Sequence, residues 1–218
     1  MTLIIGARCR NGVVLAADRR RLARHEKGPE TMKLLKLNCG VVLAGAGDDA
    51  VLNEARIFIE HRAEESRSRS QNVELFDMVE ISISVVNELV GLYRNKVEES
   101  FGFVLAGLEN VTNGKAKLYT VFGAGLSDVP WACIGSGSAY ARPLVDLLLA
   151  DGNLNAQDAA RVIPPLYTLV SNVQTIVGSG VDICIVKDGK GIGDIQHKDD
   201  IDLKPLRSAV LNALGIQA

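Results

Sequence analysis

The chain has 218 residues, 47% hydrophobic and only 5% aromatic, enough for a substantial core built on Val, Leu, Ile and Ala. Lys and Arg number 24 against 26 Asp and Glu, a net charge of −2, which excludes the domain-wide basic excess of a nucleic-acid binder. No apolar run approaches the roughly 20 residues that cross a bilayer and no leader pattern opens the chain, so a cytosolic protein without membrane or nucleic-acid partners is expected.

The chain begins MTLIIGARCRNGVVLAADRR, which reads as two strands, 2–8 and 12–18, joined at Asn11-Gly12. The second strand is apolar until it ends in Asp18-Arg19-Arg20. A further pair is predicted at 34–37 and 41–45 around Asn38-Cys39-Gly40. Asp48 or Asp49 then caps a helix over about 49–67, with Leu52, Ala55 and Ile59 at near-helical spacing. A second helix over about 73–97 carries Leu75, Val79, Val86, Val90 and Tyr93 on one stripe. Strands are expected at 103–108 and 116–120, separated at Asn113-Gly114, and at 131–134 after a glycine-rich bend. Gly135-Ser136-Gly137-Ser138 leads into a helix through Leu149, and Asn155 caps another toward Ser171. Two strands, 181–186 and 191–195, joined at Asp188-Gly189, precede a short terminal helix.

Strands, two helices, strands, two helices, strands: this block order predicts an α+β fold with mainly antiparallel sheets rather than a doubly wound parallel sheet. Two stacked sheets between outer helix layers is the economical packing. No Pro-, Gly- or Ser-rich linker divides the chain, so 1–218 reads as one domain. The runs Arg19-Arg20-Arg21 and 62–69 read as solvated faces. The four cysteines are scattered singly beside apolar strands and only His25, His61 and His197 accompany them, so buried free thiols are expected and neither a metal nor a cofactor.

Taken one at a time, the polar positions have plain explanations. Asp18 can be an ordinary charged strand end, Lys33 a surface lysine beside Lys36, and Gly-Ser-Gly-Ser a turn or an anion-binding helix start. Gly45 and Gly47 can serve close packing, and a Thr after the initiator Met is common. Their order is more specific. TLIIGARCRNGVVLAADRR, MKLLKL, VVLAGAGDDA, FVLAGLEN, KLYTVFGAG, CIGSGSAYA and GVDICIV follow one another as in proteasome β-type subunits, and the chain resembles that family over nearly its whole length. The family comprises the self-compartmentalised threonine proteases, N-terminal nucleophile hydrolases with a four-layer αββα sandwich.

The resemblance implies a chemistry that suits these residue types. With Met1 removed, Thr2 would be the nucleophile, its own α-amine the base, with an intrinsic pKa of roughly 7.7–8.0. Lys33 matches the lysine whose ammonium keeps that amine neutral, and Asp18 the acid that pins the lysine. The N–H of Gly45 matches the oxyanion donor, and Ser138 the serine that touches the terminal amine. Thr2 itself is expected to bury little. Toward the carboxyl side the family carries an Asp and, three positions later, a Ser; aligning GSGVDICIV places Gln174 and Val177 there. The implied substrate is a peptide or unfolded protein, cleaved inside a homo-oligomeric ring that an α-ring or ATPase unfoldase can serve. The short start speaks against an α-type gate subunit and is similar to HslV-type peptidases and other prokaryotic relatives. Two alternatives share the fold: a non-catalytic ring subunit, and a connectase-like peptide ligase in which an amine, not water, resolves the acyl-enzyme.

Overall fold

The computed structural model describes residues 2–20, 22–23, 26–27, 33–38, 40–69, 74–93, 101–110, 114–122, 125–174, 177–178 and 180–216. In the first sheet, β1 (Ile4–Cys9), β2 (Gly12–Asp18), β10 (Trp131–Ile134), β11 (Val181–Lys187) and β12 (Gly191–Ile192) run in the order β10-β1-β2-β11-β12. A further strand, β13 (Gln196–Lys198), also pairs with β11. In the second sheet, β5 (Leu34–Leu37), β6 (Val41–Ala46), β7 (Gly102–Leu108), β8 (Ala116–Phe122) and β9 (Gly125–Asp128) lie in chain order. A small hairpin, β3 (Leu22–Ala23) with β4 (Glu26–Lys27), stands apart. Every pairing is antiparallel.

The continuous apolar runs of β1, β2, β6 and β7 have a structural cause: both faces of each strand are covered. In β2, Val13, Leu15 and Ala17 point into the layer between the sheets, while Val14 and Ala16 point to the opposite face. In β6, Val42, Ala44 and Ala46 share the inter-sheet layer while Val41 and Leu43 turn outward. The outer face of the first sheet is covered by α3 (Ser138–Leu149) and α4 (Ala156–Val173), with α5 (Lys204–Ala213) packed on both helices. That of the second is covered by α1 (Asp49–Arg69) and α2 (Leu75–Leu92). The molecule is thus helix, sheet, sheet, helix, the αββα order expected from the block pattern. Each fully buried leucine or isoleucine in these layers contributes about 1.5–3 kcal/mol.

Several local expectations shift. The glycine-rich bend before Trp131 is in part a strand, β9, paired to β8 from Tyr119↔Asp128 to Phe122↔Gly125. Its side chains are all exposed, so no burial pattern marks it. The strand expected over 191–195 divides: pairing with β11 runs to Val186↔Ile192 and resumes in β13 at Ile183↔Gln196. Gly193, Asp194 and Ile195 thus stand against only Cys184 and Ile185, one residue too many for an unbroken ladder. The second helix ends at Leu92, and its expected ends at 73 and 94–97 lie outside the described residues. So do Cys39 and Asn113 of the predicted turns, Arg21 and His25. Cys9, Cys133 and Cys184 are free thiols, the latter two buried.

Candidate active site

Asp18 is the last residue of β2 and is completely buried. The hairpin register Ile4↔Ala17 sets Leu3 beside it: the Asp18 N–H donates to the Leu3 carbonyl at 3.1 Å and the Leu3 N–H donates to Asp18 Oδ1 at 2.7 Å. The N–H groups of Arg20 and Gly178 both reach Oδ2 at 3.2 Å. Lys33 Nζ completes the set, 3.1 Å from Oδ1 and 3.0 Å from Oδ2. A buried carboxylate is tolerable only with such full satisfaction. Its charge makes each of these bonds stronger than a neutral one. Burial pulls the Lys33 ammonium below the ordinary lysine range, and the Asp18 carboxylate opposes that shift. An apolar strand therefore ends in charge here because Asp18 ties together the chain start, the lysine and the 177–178 segment.

Thr2 is held at both ends and is 2% exposed, more deeply buried than expected. Its nitrogen, a peptide N–H in this chain and the α-amine once Met1 is gone, donates to Ser136 Oγ at 3.3 Å. Its carbonyl accepts from the Gly137 N–H at 3.3 Å. Gly135 allows this close approach. It has φ +91°, and a Cβ there would lie 2.2 Å from the Thr2 oxygen, so both conformation and space require glycine. The serine at the Thr2 nitrogen is thus Ser136, not the Ser138 of the sequence reading. Ser138 instead opens α3, its N–H bonded to the Gly135 carbonyl at 3.0 Å. Gly-Ser-Gly-Ser offers two candidate serines, and only the left-handed turn at Gly135 decides between them.

Lys33 and Gly45 meet by register. One step beyond the pair Leu34↔Ala44 sets Lys33 opposite Gly45, on the face that Leu35 and Leu43 share. Both line a cleft of about 560 Å³ between the second sheet and the start of α1. A Cβ at Gly45 would lie 2.7 Å from Leu52 Cδ2 and 2.9 Å from Phe103 Cε1, so a side chain there would collide with the cleft walls. Asp48 Oδ1 caps α1, accepting from the Ala50 N–H at 2.9 Å.

Of the five residues singled out in the sequence, Lys33 and Gly45 face the cleft. Asp18 joins them through Lys33, and Thr2 through the Leu3 N–H on the same carboxylate. Ser138 stands apart. Gln174 caps the end of α4, and Val177 is fully buried. A Cβ on Gly137 would lie 2.7 Å from Val177 Cγ2, so this segment meets the Gly-Ser-Gly-Ser turn through an apolar contact.

The chain is similar to known proteins in sequence and, separately, in fold. A proteasome subunit alpha from Methanococcus maripaludis is 23% identical over 203 residues, which cover 92% of this chain and 74% of the relative. A proteasome subunit beta 1 from Thermococcus gammatolerans is 30% identical over 154 residues, 69% of this chain and 72% of the relative. An Anbu (Gly-1) mutant from Hyphomicrobium sp. strain MC1 has the same fold, with a TM-score of 0.77 over 99% of this chain and 94% of that one at 18% identity. The family model described as proteasome subunit matches residues 2–186, and the chain belongs to that family.

Proposed function

We propose that this proteasome-family subunit, once Met1 is removed, is a threonine peptidase acting through Thr2. The observation that carries the reading is the buried Asp18 carboxylate, whose Oδ1 accepts from both the Lys33 ammonium and the N–H next to Thr2. Three functional parts are thereby held in one rigid unit. In the proposed reaction the Thr2 hydroxyl adds to the substrate carbonyl and its proton passes to the α-amine. The Lys33 ammonium favours the neutral form of that amine beforehand. The carbonyl oxygen takes the negative charge and accepts from the Gly45 N–H. Collapse expels the amine half of the peptide, which takes the proton, and leaves an ester on Thr2. Water, deprotonated by the same α-amine, then releases the acid half. The substrate is a peptide or unfolded protein, and residues 1–218 work as a single domain in a homo-oligomeric ring, fed by an α-ring or an ATPase unfoldase.

A second reading is favoured by Val177. The family pattern carries a hydrogen-bonding serine where this chain buries a valine, so the Thr2 nitrogen has less support, as in a ring subunit without catalysis. One experiment separates the two. Met1-free protein is treated with a peptide epoxyketone and weighed intact. A one-to-one adduct absent from Thr2→Ala supports the peptidase, whereas no adduct on correctly folded, Met1-free protein supports the non-catalytic subunit. Adding excess amine acceptor to a cleavable peptide reports ligation if the acyl-enzyme is resolved by amine.

A further inference from the structure

The cleft has a polar feature beyond the proposed catalytic parts. Its floor is the outer face of the second sheet, with Lys33 and Gly45 at one end and Leu35 and Leu43 two residues further along, a step of about 7 Å. Its wall is α1, which presents Asp49, Leu52 and Arg56 at helical spacing. Leu52 packs where a Gly45 Cβ would stand, and Arg56 follows one turn later, about 6 Å along the axis. Arg56 therefore lies over the apolar part of the floor, beyond Gly45 along the same cleft.

The Nε of Arg56 is buried and has no hydrogen-bond partner, and the residue makes no ion pair among the described residues. A guanidinium N–H buried without an acceptor is costly, and a carboxylate is the acceptor that offsets it best. Asp49 does not fill that role: it lies two turns earlier, about 10 Å along the axis, where its charge acts on Lys33. The cleft thus combines apolar walls for methylenes with one unmatched cation at their end.

Resting on the peptidase reading, we propose that Arg56 sets specificity, selecting substrates whose residue at the attacked carbonyl is glutamate. Its two methylenes cover Leu35 and Leu43 while its carboxylate meets Arg56.

The test uses Met1-free protein and peptidyl coumarylamides differing only in the residue before the cleaved bond: Glu, Gln, Leu or Lys. Expected is a kcat/KM for Glu about tenfold or more above Gln. The ratio collapses in Arg56→Gln, chiefly through KM, and inverts toward Lys in Arg56→Glu. Arg56→Lys, which keeps the charge but loses the fork, retains part of the preference. In parallel, binding of the Glu and Gln peptides to Thr2→Ala protein, with and without Arg56→Gln, is followed by fluorescence anisotropy. Equal use of Glu and Gln, a preference for Lys, or a ratio unmoved by Arg56→Gln overturns the proposal. If nothing is cleaved and Thr2 takes no epoxyketone, the peptidase reading fails by itself. The anisotropy arm then decides on Arg56: a Glu preference lost in Arg56→Gln supports its role, and equal binding overturns it.

Discussion

At the scale of single residues, the site depends on one buried ion pair. Asp18 and Lys33 are both nearly or wholly out of water, so removing either partner leaves an uncompensated charge, a loss of about 3–5 kcal/mol. Lys33→Met is expected to cost that much at neutral pH. Its pH dependence is also fixed in sign. Burial lowers the folded-state pKa of Lys33, so between that value and the ordinary lysine value near 10.4 the unfolded chain binds more protons. The Lys33 contribution to stability therefore grows as pH rises through this interval. Urea midpoints of wild type and Lys33→Met measured between pH 7 and 10 should diverge toward the alkaline end. A gap that narrows would refute the assigned shift. Tyr167 shows the opposite kind of buried polar group: its hydroxyl approaches the Ile5 backbone but makes no hydrogen bond of good geometry, and burial drives its pKa well above the ordinary value.

At the scale of elements, α4 shows which local signals carry weight. Asn155 Oδ1 accepts from the Asp158 N–H at 2.9 Å, the cap legible in the sequence, and Asn155→Ala should cost about 1 kcal/mol. A shift of the urea midpoint at constant m-value would measure it. The helix then continues through Pro164 and Pro165, each normally worth about 3 kcal/mol against a helix interior. Burial of Val162, Ile163, Leu166, Tyr167 and Val170 on the first sheet outweighs that penalty. The same logic explains what else was readable. Strands covered on both faces, β1, β2, β6 and β7, announce themselves as unbroken apolar runs. β9 has no buried side, and the strand that begins at Gly191 is interrupted by one extra residue between β12 and β13, so neither leaves a residue pattern. In the site, Asp18, Lys33 and Gly45 were legible because ordered motifs carry them. The exchange of Ser136 for Ser138 was not, because it depends on a backbone turn rather than on residue type. Arg56 carried no signal: it is one arginine on an amphipathic helix until α1 is laid along β5.

At the scale of the whole molecule, the two sheets are bound by side chains from both, and their cooperation can be tested. Leu118 on β8 is fully buried in the layer between them, and its methyls fill the space that Gly6 on β1 leaves: a Cβ on Gly6 would stand 2.9 Å from Leu118 Cδ1. Leu118→Ala removes this contact from the second sheet and opens a void against the first, a loss of about 2–5 kcal/mol. Trp131, the single tryptophan, lies in β10 of the first sheet and reports on that sheet alone, whereas far-ultraviolet circular dichroism reports on all elements. If the layers form one cooperative unit, Leu118→Ala lowers the denaturation midpoint equally by both probes. The site would then be disrupted by damage to either sheet, since Asp18 ends a strand of the first sheet and Thr2 leads into another, while Gly45 lies in the second and Lys33 directly precedes its strand β5. If the Trp131 midpoint stays fixed while the dichroism transition splits, the sheets unfold separately. The pairing of Asp18 with Lys33 would then be a contact between two independent halves.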